Sequence, residues 1–173
     1  MIGGELNVSR GPGGDIGLTL MLGGAIVLAA VVKTYMATPY DPIFDAAGAE
    51  HGISPNLLRA IARKESAFRA SAVSPKNPNG SRDFGVMQIS SPNFAKLGLT
   101  DASAMEPQAN IRAGARLLAM MKRELGGQYT YHNIISAYNA GTPTVKARGI
   151  INPAYVGEVS THHTLYELGR LFA

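Results

Sequence analysis

Residues 54–68 read SPNLLRAIARKESAF, and this stretch decides the fold. Ser54 offers a hydroxyl that can cap a helix N-terminus, and Pro55 suits the first helical position because no N–H is needed there. Leu58 and Ile61 then recur at the spacing of one helical face. The stretch therefore predicts a helix with an apolar face turned toward a core.

Similar signals for helix starts and ends occur on both sides of this helix. Gly52 predicts the end of a short helix over 43–51, and Pro107 predicts the start of a long helix that stops at Gly126-Gly127. Residues 71–90 are rich in Ser, Pro, Asn and Gly, which predicts a long loop or a small irregular sheet. Further helices are expected from Ser91-Pro92 to Gly98, over 131–140 and over 154–171. The chain is therefore mainly α, because no alternating run is long enough for a core strand.

The N-terminal third has a different composition. Residues 1–15 are rich in Gly and predict a flexible tail. Residues 16–36 begin with a long uncharged apolar run, which predicts a single transmembrane anchor. A cleaved signal and a buried soluble helix are the alternatives, and flanking charge does not decide the orientation. Residues 37–42 form a connector to a domain over 43–173.

Composition excludes some chemistry. The 173 residues contain no Cys, so disulfides, thiolate nucleophiles and Cys-ligated metals are absent. Sixteen Lys and Arg exceed twelve Asp and Glu, giving a pI of about 9.5. These basic residues are scattered, so a basic solvated surface is favoured and no nucleic acid is expected.

Glu65 is the first candidate for chemistry. It lies four residues after Ile61 and seven after Leu58, so it shares their apolar face. A carboxylate in such a place loses hydration, which raises its pKa as a general acid requires. Pairing with a neighbouring arginine, or exposure at the helix end, is the simpler interpretation of the spacing alone.

Three motifs occur in order along the chain, with Ser74-Pro75 between the first and the second. Glu65-Ser66-Ala67-Phe68 is followed by Ser74-Pro75, then by GVMQI at 85–89 and by AYNAG at 137–141. This series resembles the lytic transglycosylases with a soluble-lytic-transglycosylase (SLT) catalytic domain. The resemblance covers roughly residues 43–160. It implies a lysozyme-like α+β domain that follows the anchor.

The resemblance assigns roles by position. Glu65 matches the single catalytic acid, and Tyr155 matches a tyrosine that orients it. The other matched positions would bind substrate: Ser74, Met87, Gln88, Tyr138 and Asn139. Simpler roles remain open, since Ser74 precedes a proline and suits a turn, while Met87 and Tyr138 suit a core.

No metal or other cofactor is implied. The loop over 77–83 contains Asn and Asp residues as calcium loops do, but it lacks the EF-hand spacing. His162 and His163 are adjacent on a predicted helix and point in different directions, and no His-Glu-x-x-His run exists.

The resemblance implies cleavage of the MurNAc–GlcNAc β-1,4 bond of peptidoglycan with 1,6-anhydro-MurNAc ends. The alternatives are a hydrolytic muramidase, with Asp83 as its base, and a non-catalytic glycan-binding module. A domain tethered through residues 16–36 would face the cell wall from a bacterial inner membrane or a virion membrane. Partners would then include proteins of a virion or envelope complex, and analogy favours wall opening by a phage.

Overall fold

A computed structural model describes residues 37–170. Two helices open the domain, α1 (Asp41–His51) and α2 (Pro55–Ser66). A two-stranded antiparallel sheet follows, with β1 (Asp83–Phe84) paired to β2 (Ile89–Ser90). The chain continues through α3 (Phe94–Leu97), α4 (Pro107–Leu125), α5 (Tyr131–Ala140), α6 (Thr142–Arg148) and α7 (Pro153–Gly169). Short 3₁₀ turns occur at Ser91–Asn93, Ser103–Met105 and Gly126–Gln128.

The predicted helix boundaries are confirmed at several caps. The Ser54 hydroxyl accepts a hydrogen bond from the Leu57 N–H at 3.3 Å, which caps α2 as expected. Gly52 and Gly98 adopt left-handed conformations after α1 and α3. Helix α6 was not predicted, because a segment of seven residues beginning Thr-Pro carries little helical periodicity.

The core surrounds α2. Leu58 and Ile61 are fully buried, and such side chains each contribute about 1.5–3 kcal/mol. Helix α2 packs against α1, α4 and α7. The face predicted on α4 is also buried, including Ile111 and Leu118. The helix that carries Glu65 is thus largely buried, and its last residue, Ser66, bonds to Val86 in the loop between the two strands.

The fold class requires one correction, which concerns the transmembrane helix expected over residues 16–36. None of the helices within residues 37–170 is long and apolar enough to cross a bilayer. The longest, α4, has 19 residues but carries Arg112, Arg116 and three further charges, which are costly in a bilayer core. Residues 16–36 themselves lie outside the described residues. The fold class is therefore corrected to a mainly helical domain with one small sheet.

Candidate functional site

A groove of about 1000 Å³ runs between the end of α2, the small sheet and helices α4 to α6. Its walls are mostly polar, and three motifs of the sequence meet there. Glu65 comes from the first motif, Gln88 from the second, and Tyr138 and Asn139 from the third. Such a long polar cleft suits an extended, hydroxyl-rich ligand better than a compact apolar one.

Ser66 fastens the end of α2 to the neighbouring loop. Its hydroxyl donates to the Val86 carbonyl at 2.7 Å and accepts from the Arg69 N–H at 3.1 Å. Ala67 then turns into the left-handed region with φ of 51°, which ends the helix without a glycine. These contacts fix Glu65, the preceding residue, at the edge of the groove.

Burial dominates the electrostatics of Glu65. The pKa of this carboxyl is raised from 4.5 to about 7 in total: burial raises it most, the Tyr155 hydrogen bond lowers it, the nearby Asp83 carboxylate raises it, and the Lys64 charge lowers it. At neutral pH a substantial fraction is therefore protonated, while a small change in environment can drive ionisation. A carboxyl with this property can act as an acid and then as a base.

Tyr155 lies on α7 and reaches Glu65 across the helix interface. Its hydroxyl donates to the Glu65 Oε1 at 2.5 Å. Burial and the nearby Glu65 raise the pKa of Tyr155 well above 10, so the phenol keeps its proton and remains a donor. Lys64, the residue before Glu65, and Glu158, about one turn after Tyr155, form a salt bridge that also joins α2 to α7. The tyrosine matched by the resemblance thus lies against the carboxyl.

The Gly85–Gln88 loop has a backbone that few residues could adopt. Gly85 has φ of 75°, and a Cβ there would lie 2.4 Å from the Ala104 carbonyl oxygen and 2.5 Å from the Asn110 Nδ2. Gln88 has φ of 47°, a strained value for a residue with a side chain. The contacts around the loop must therefore impose this conformation.

Asn110 supplies those contacts from the first turns of α4. It is fully buried, accepts from the Met87 N–H at 2.7 Å and donates to the Phe84 and Ala104 carbonyls at 2.8 Å. All three bonds satisfy backbone groups in or beside the loop, and two of the three are buried. Sequence reasoning missed Asn110, because a lone Asn beside a predicted apolar face gives no signal of what it will contact.

Met87 and Gln88 have different placements. The Met87 side chain is fully buried in the core instead of lining the groove, and its carbonyl accepts from the Tyr138 hydroxyl at 2.8 Å. Gln88 lines the groove. Its amide donates to the Gly85 and Ala72 carbonyls at 2.8 and 3.1 Å, which leaves the side-chain oxygen as the acceptor for a ligand.

Ser74 belongs to the sheet region rather than to the groove wall. Its hydroxyl accepts from the Asp83 N–H and donates to the Pro75 carbonyl, both at 2.9 Å. It therefore positions Asp83, whose side chain lines the groove. The turn role considered for Ser74 matches this placement.

The third motif contributes Tyr138 and Asn139. Burial, with Glu65 and Asp83 nearby, raises the pKa of Tyr138 well above 10, so it too remains protonated. The Asn139 Oδ1 accepts from the Asn152 amide at 2.6 Å, and Asn152 in turn accepts from the Ser136 hydroxyl at 2.6 Å. This chain orients the Asn139 amide N–H groups for a ligand, and Asn152 was missed because it lies outside every motif.

Metal ligands do not converge anywhere in residues 37–170, where no group of three or more His, Asp or Glu side chains could hold an ion. His163 instead stacks on Tyr131, with ring centroids 5.2 Å apart. Its Nε2 lies 3.4 Å from Glu167.

Comparisons with known proteins agree with this geometry. The family model for the transglycosylase SLT domain matches residues 42–153. The X polypeptide of Escherichia coli is 34% identical over 125 residues, covering 70% of this chain and 72% of that protein. Protein IpgF of Shigella flexneri is 36% identical over 109 residues, covering 61% of this chain and 69% of that protein.

A solved structure supports the fold. The 70 kDa soluble lytic transglycosylase of Escherichia coli superposes with a TM-score of 0.65 at 20% identity. The match covers 77% of this chain and 25% of that one, so the chain corresponds to about a quarter of the solved protein. At this identity, the likeness establishes the architecture alone.

Proposed function

The chain belongs to the transglycosylase SLT domain family, whose members are peptidoglycan lytic transglycosylases, and from that premise we propose a specific reaction. In this reaction the protein cleaves the β-1,4 bond between N-acetylmuramic acid and N-acetylglucosamine. The product is a 1,6-anhydro muramic end formed within the same sugar, without water as the acceptor.

The state of Glu65 is the observation that carries this proposal. Its protonated carboxyl, with a pKa of about 7, donates its proton to the glycosidic oxygen as the C1–O bond breaks. The 2-acetamido oxygen of the muramic residue stabilises the electron-poor C1, so no enzyme nucleophile is needed. The ionised Glu65 then accepts the proton of the C6 hydroxyl while that oxygen bonds to C1. The proton count balances, and Glu65 ends protonated as it began.

Tyr155 supports both halves of this cycle. Its hydroxyl holds Glu65 at 2.5 Å, which stabilises the ionised form that appears after the first proton transfer. Burial opposes ionisation and keeps the acid available beforehand. The two opposing effects place the pKa of Glu65 near neutrality, where one group can serve in both directions.

The groove residues would hold the glycan in register. Gln88 presents a carbonyl oxygen, and Asn139 presents amide N–H groups. Sugar hydroxyls and N-acetyl groups can donate to the first and accept from the second. We assign these two residues to substrate binding and Glu65 to proton transfer.

Digestion of purified sacculi tests the proposal. Mass spectrometry should find 1,6-anhydro muramic ends, and Glu65→Gln should abolish lysis. Glu106→Gln serves as the matched control, because that carboxylate is exposed and lies outside the groove. Detection of reducing muramic ends without anhydro ends would contradict the intramolecular route. Unchanged lysis by Glu65→Gln would remove Glu65 from the catalytic role, whereas binding of sacculi by the wild type without any lysis would support a non-catalytic glycan-binding role.

Hydrolysis is the second candidate function, and Asp83 favours it. Glycosidases commonly use two carboxylates, and Asp83 lines the same groove close enough to raise the pKa of Glu65. In that route Asp83 would activate or position water, and the products would carry reducing ends. The same mass spectrum distinguishes the two candidates.

The biological setting is proposed as local opening of a bacterial wall. Penetration by a phage, a conjugation or secretion channel, and wall remodelling would each need a cut limited to one place. Detection of the protein in purified virions would support the phage setting, and its absence from them would contradict it.

A further inference from the structure

The segment over 77–83 forms one edge of the groove, and its central dipeptide is Asn79-Gly80. We call this segment the edge loop. Asn79 lines the groove together with Glu65 and Asp83. Of the nine asparagines in the chain, Asn79 is the one that a glycine follows. This matters chemically, because glycine has no Cβ to obstruct contact between its backbone nitrogen and the preceding side chain.

The edge loop exposes this dipeptide to water. Asn79 and Gly80 are both exposed. Gly80 has φ of 83°, and no atom of the described residues beyond its chain neighbours lies within 4 Å of the position that a Cβ would occupy. The Gly80 N–H donates to the Asn77 carbonyl at 2.8 Å, which closes a turn. Since the surroundings of Gly80 are open, this bond can break while the rest of the domain stays folded.

Ser81 polarises the side-chain amide of Asn79. Its backbone N–H and its hydroxyl donate to the Asn79 Oδ1 at 3.1 and 2.7 Å. Two donors at such distances stabilise the negative charge that develops on a carbonyl oxygen when a nucleophile attacks its carbon. The edge loop therefore prepares the Asn79 Cγ for attack by the nitrogen of the next residue.

We propose that Asn79 is a site of spontaneous modification, where the Gly80 nitrogen attacks the Asn79 Cγ and the asparagine becomes aspartate or isoaspartate. The nitrogen loses its proton and bonds to Cγ, the Cγ–Nδ2 bond breaks, and Nδ2 leaves with that proton as ammonia. Water then adds to either carbonyl of the resulting succinimide and cleaves the bond between that carbonyl and the Gly80 nitrogen. Opening at Cγ gives aspartate, and opening at the backbone carbon gives isoaspartate. No oxidant or reductant takes part.

Either product changes the groove. The charged groups in its walls include three carboxylates and one ammonium: Glu65, Asp83, Glu124 and Lys96. The new carboxylate therefore makes an acidic groove more acidic. Isoaspartate also lengthens the backbone by a methylene group, which disturbs the 2.8 Å hydrogen bond from the Asn77 N–H to the Ser81 carbonyl. The edge loop thus changes its charge and its shape as the protein ages.

Peptide mapping by mass spectrometry tests the modification without requiring turnover. Native protein is incubated at mildly alkaline pH, and Asn79 should gain the mass difference between a hydroxyl and an amino group. The rate should rise in proportion to the hydroxide concentration, because the Gly80 nitrogen must lose its proton. Asn77 is the internal control, since it lies in the same loop but precedes Pro78, whose nitrogen carries no proton. Conversion of Asn77 to the same extent would contradict the assigned chemistry.

Two variants test whether the folded loop promotes the reaction. Asn79→Gln should show no mass gain at this position, because its longer side chain must close a larger ring. Ser81→Ala keeps the Asn-Gly pair but removes one donor, so native conversion should slow about fivefold, as for one net hydrogen bond. In urea, Ser81→Ala and wild type should convert at the same rate. Equal native rates for these two proteins, or conversion of wild type confined to urea, would overturn the proposal; circular dichroism confirms folding.

One consequence of the modification rests on the proposed glycan-cleaving function. A further carboxylate in the groove should raise the pKa of Glu65, as Asp83 does. Aged wild-type protein and fresh Asn79→Asp protein should therefore lyse sacculi up to a higher pH than fresh wild type, whereas ageing should not shift the profile of Asn79→Gln. An unshifted profile in Asn79→Asp overturns this consequence. Absence of lysis by fresh wild type contradicts the proposed reaction alone, because the mass measurement does not depend on it.

Discussion

Replacing Glu65 with glutamine should remove activity and raise stability at the same time. The carboxyl is forced into a poorly hydrated place, and its pKa rises from 4.5 to about 7. When the pKa of a group is higher in the folded protein than in the unfolded chain, the group contributes its full stability at pH values below the unfolded-state pKa. That contribution is lost as the pH rises through the folded-state pKa. Ionised Glu65 therefore destabilises the wild-type fold above pH 7, whereas glutamine stays neutral and can still accept from Tyr155.

The magnitude follows from the pKa difference. A pKa difference between 4.5 and about 7 corresponds to a change of about 3 kcal/mol in the free energy of unfolding. Because the side chain is partly exposed, we expect a change of about 1–3 kcal/mol. For a domain of this size, Glu65→Gln should raise the melting temperature at pH 8 by roughly 3–10 °C. At pH 4 the two proteins should melt together, because Glu65 is protonated in both the folded and the unfolded state.

Thermal unfolding at a series of pH values measures this difference. Glu106→Gln is the control, because an exposed carboxylate should show no comparable gain. A constant difference between Glu65→Gln and wild type from pH 4 to pH 8 would refute the argument that burial tunes this carboxyl. In parallel, wild-type lysis of sacculi should decline above about pH 7 as the acid form disappears.

Three further substitutions test the surroundings of the carboxyl. Tyr155→Phe removes the bond that lowers the pKa of Glu65, so the alkaline limb of the pH–rate profile should move upward and the rate should fall about tenfold. Asp83→Asn removes a nearby negative charge, so the alkaline limb should move to lower pH. The variant should still produce anhydro ends. Loss of all cutting in this variant would instead favour hydrolysis with Asp83 as the base. Gly85→Ala should destabilise the domain by at least about 1 kcal/mol more than Gly80→Ala in thermal unfolding, because both have positive φ but only Gly85 faces atoms at 2.4 Å.

Much of the helical framework follows from local rules. Ser54, Pro55 and Gly52 set helix ends through caps that involve neighbours in sequence. Apolar spacing places Ile61 and Leu118 in the core, where both are fully buried. Periodicity fails for α6 because its seven residues give less than two full turns of pattern.

For the candidate site, the structure brings together some of the residues that the sequence predicted and places others elsewhere. Motif order brought Glu65, Gln88 and Tyr155 forward as residues of one site, and the structure places them around one groove or in contact across it. It also moves the Met87 side chain into the core and Ser74 into the sheet. Pattern does not distinguish these cases, because a side chain at a motif position can face either side of a loop with unusual φ values.

The sequence by itself determined that a carboxyl would lie on the apolar face of a capped helix, since helical spacing and capping act over a few residues. Tertiary structure decided how that carboxyl behaves. Its pKa depends on burial, on a hydroxyl 90 positions later in the chain at Tyr155, and on the charge of Asp83. Those three influences come from segments far apart in sequence. They meet only in the folded chain, where α7 packs against α2 and brings Tyr155 to Glu65, because the electrostatic energy of a group depends on distance in space rather than along the chain.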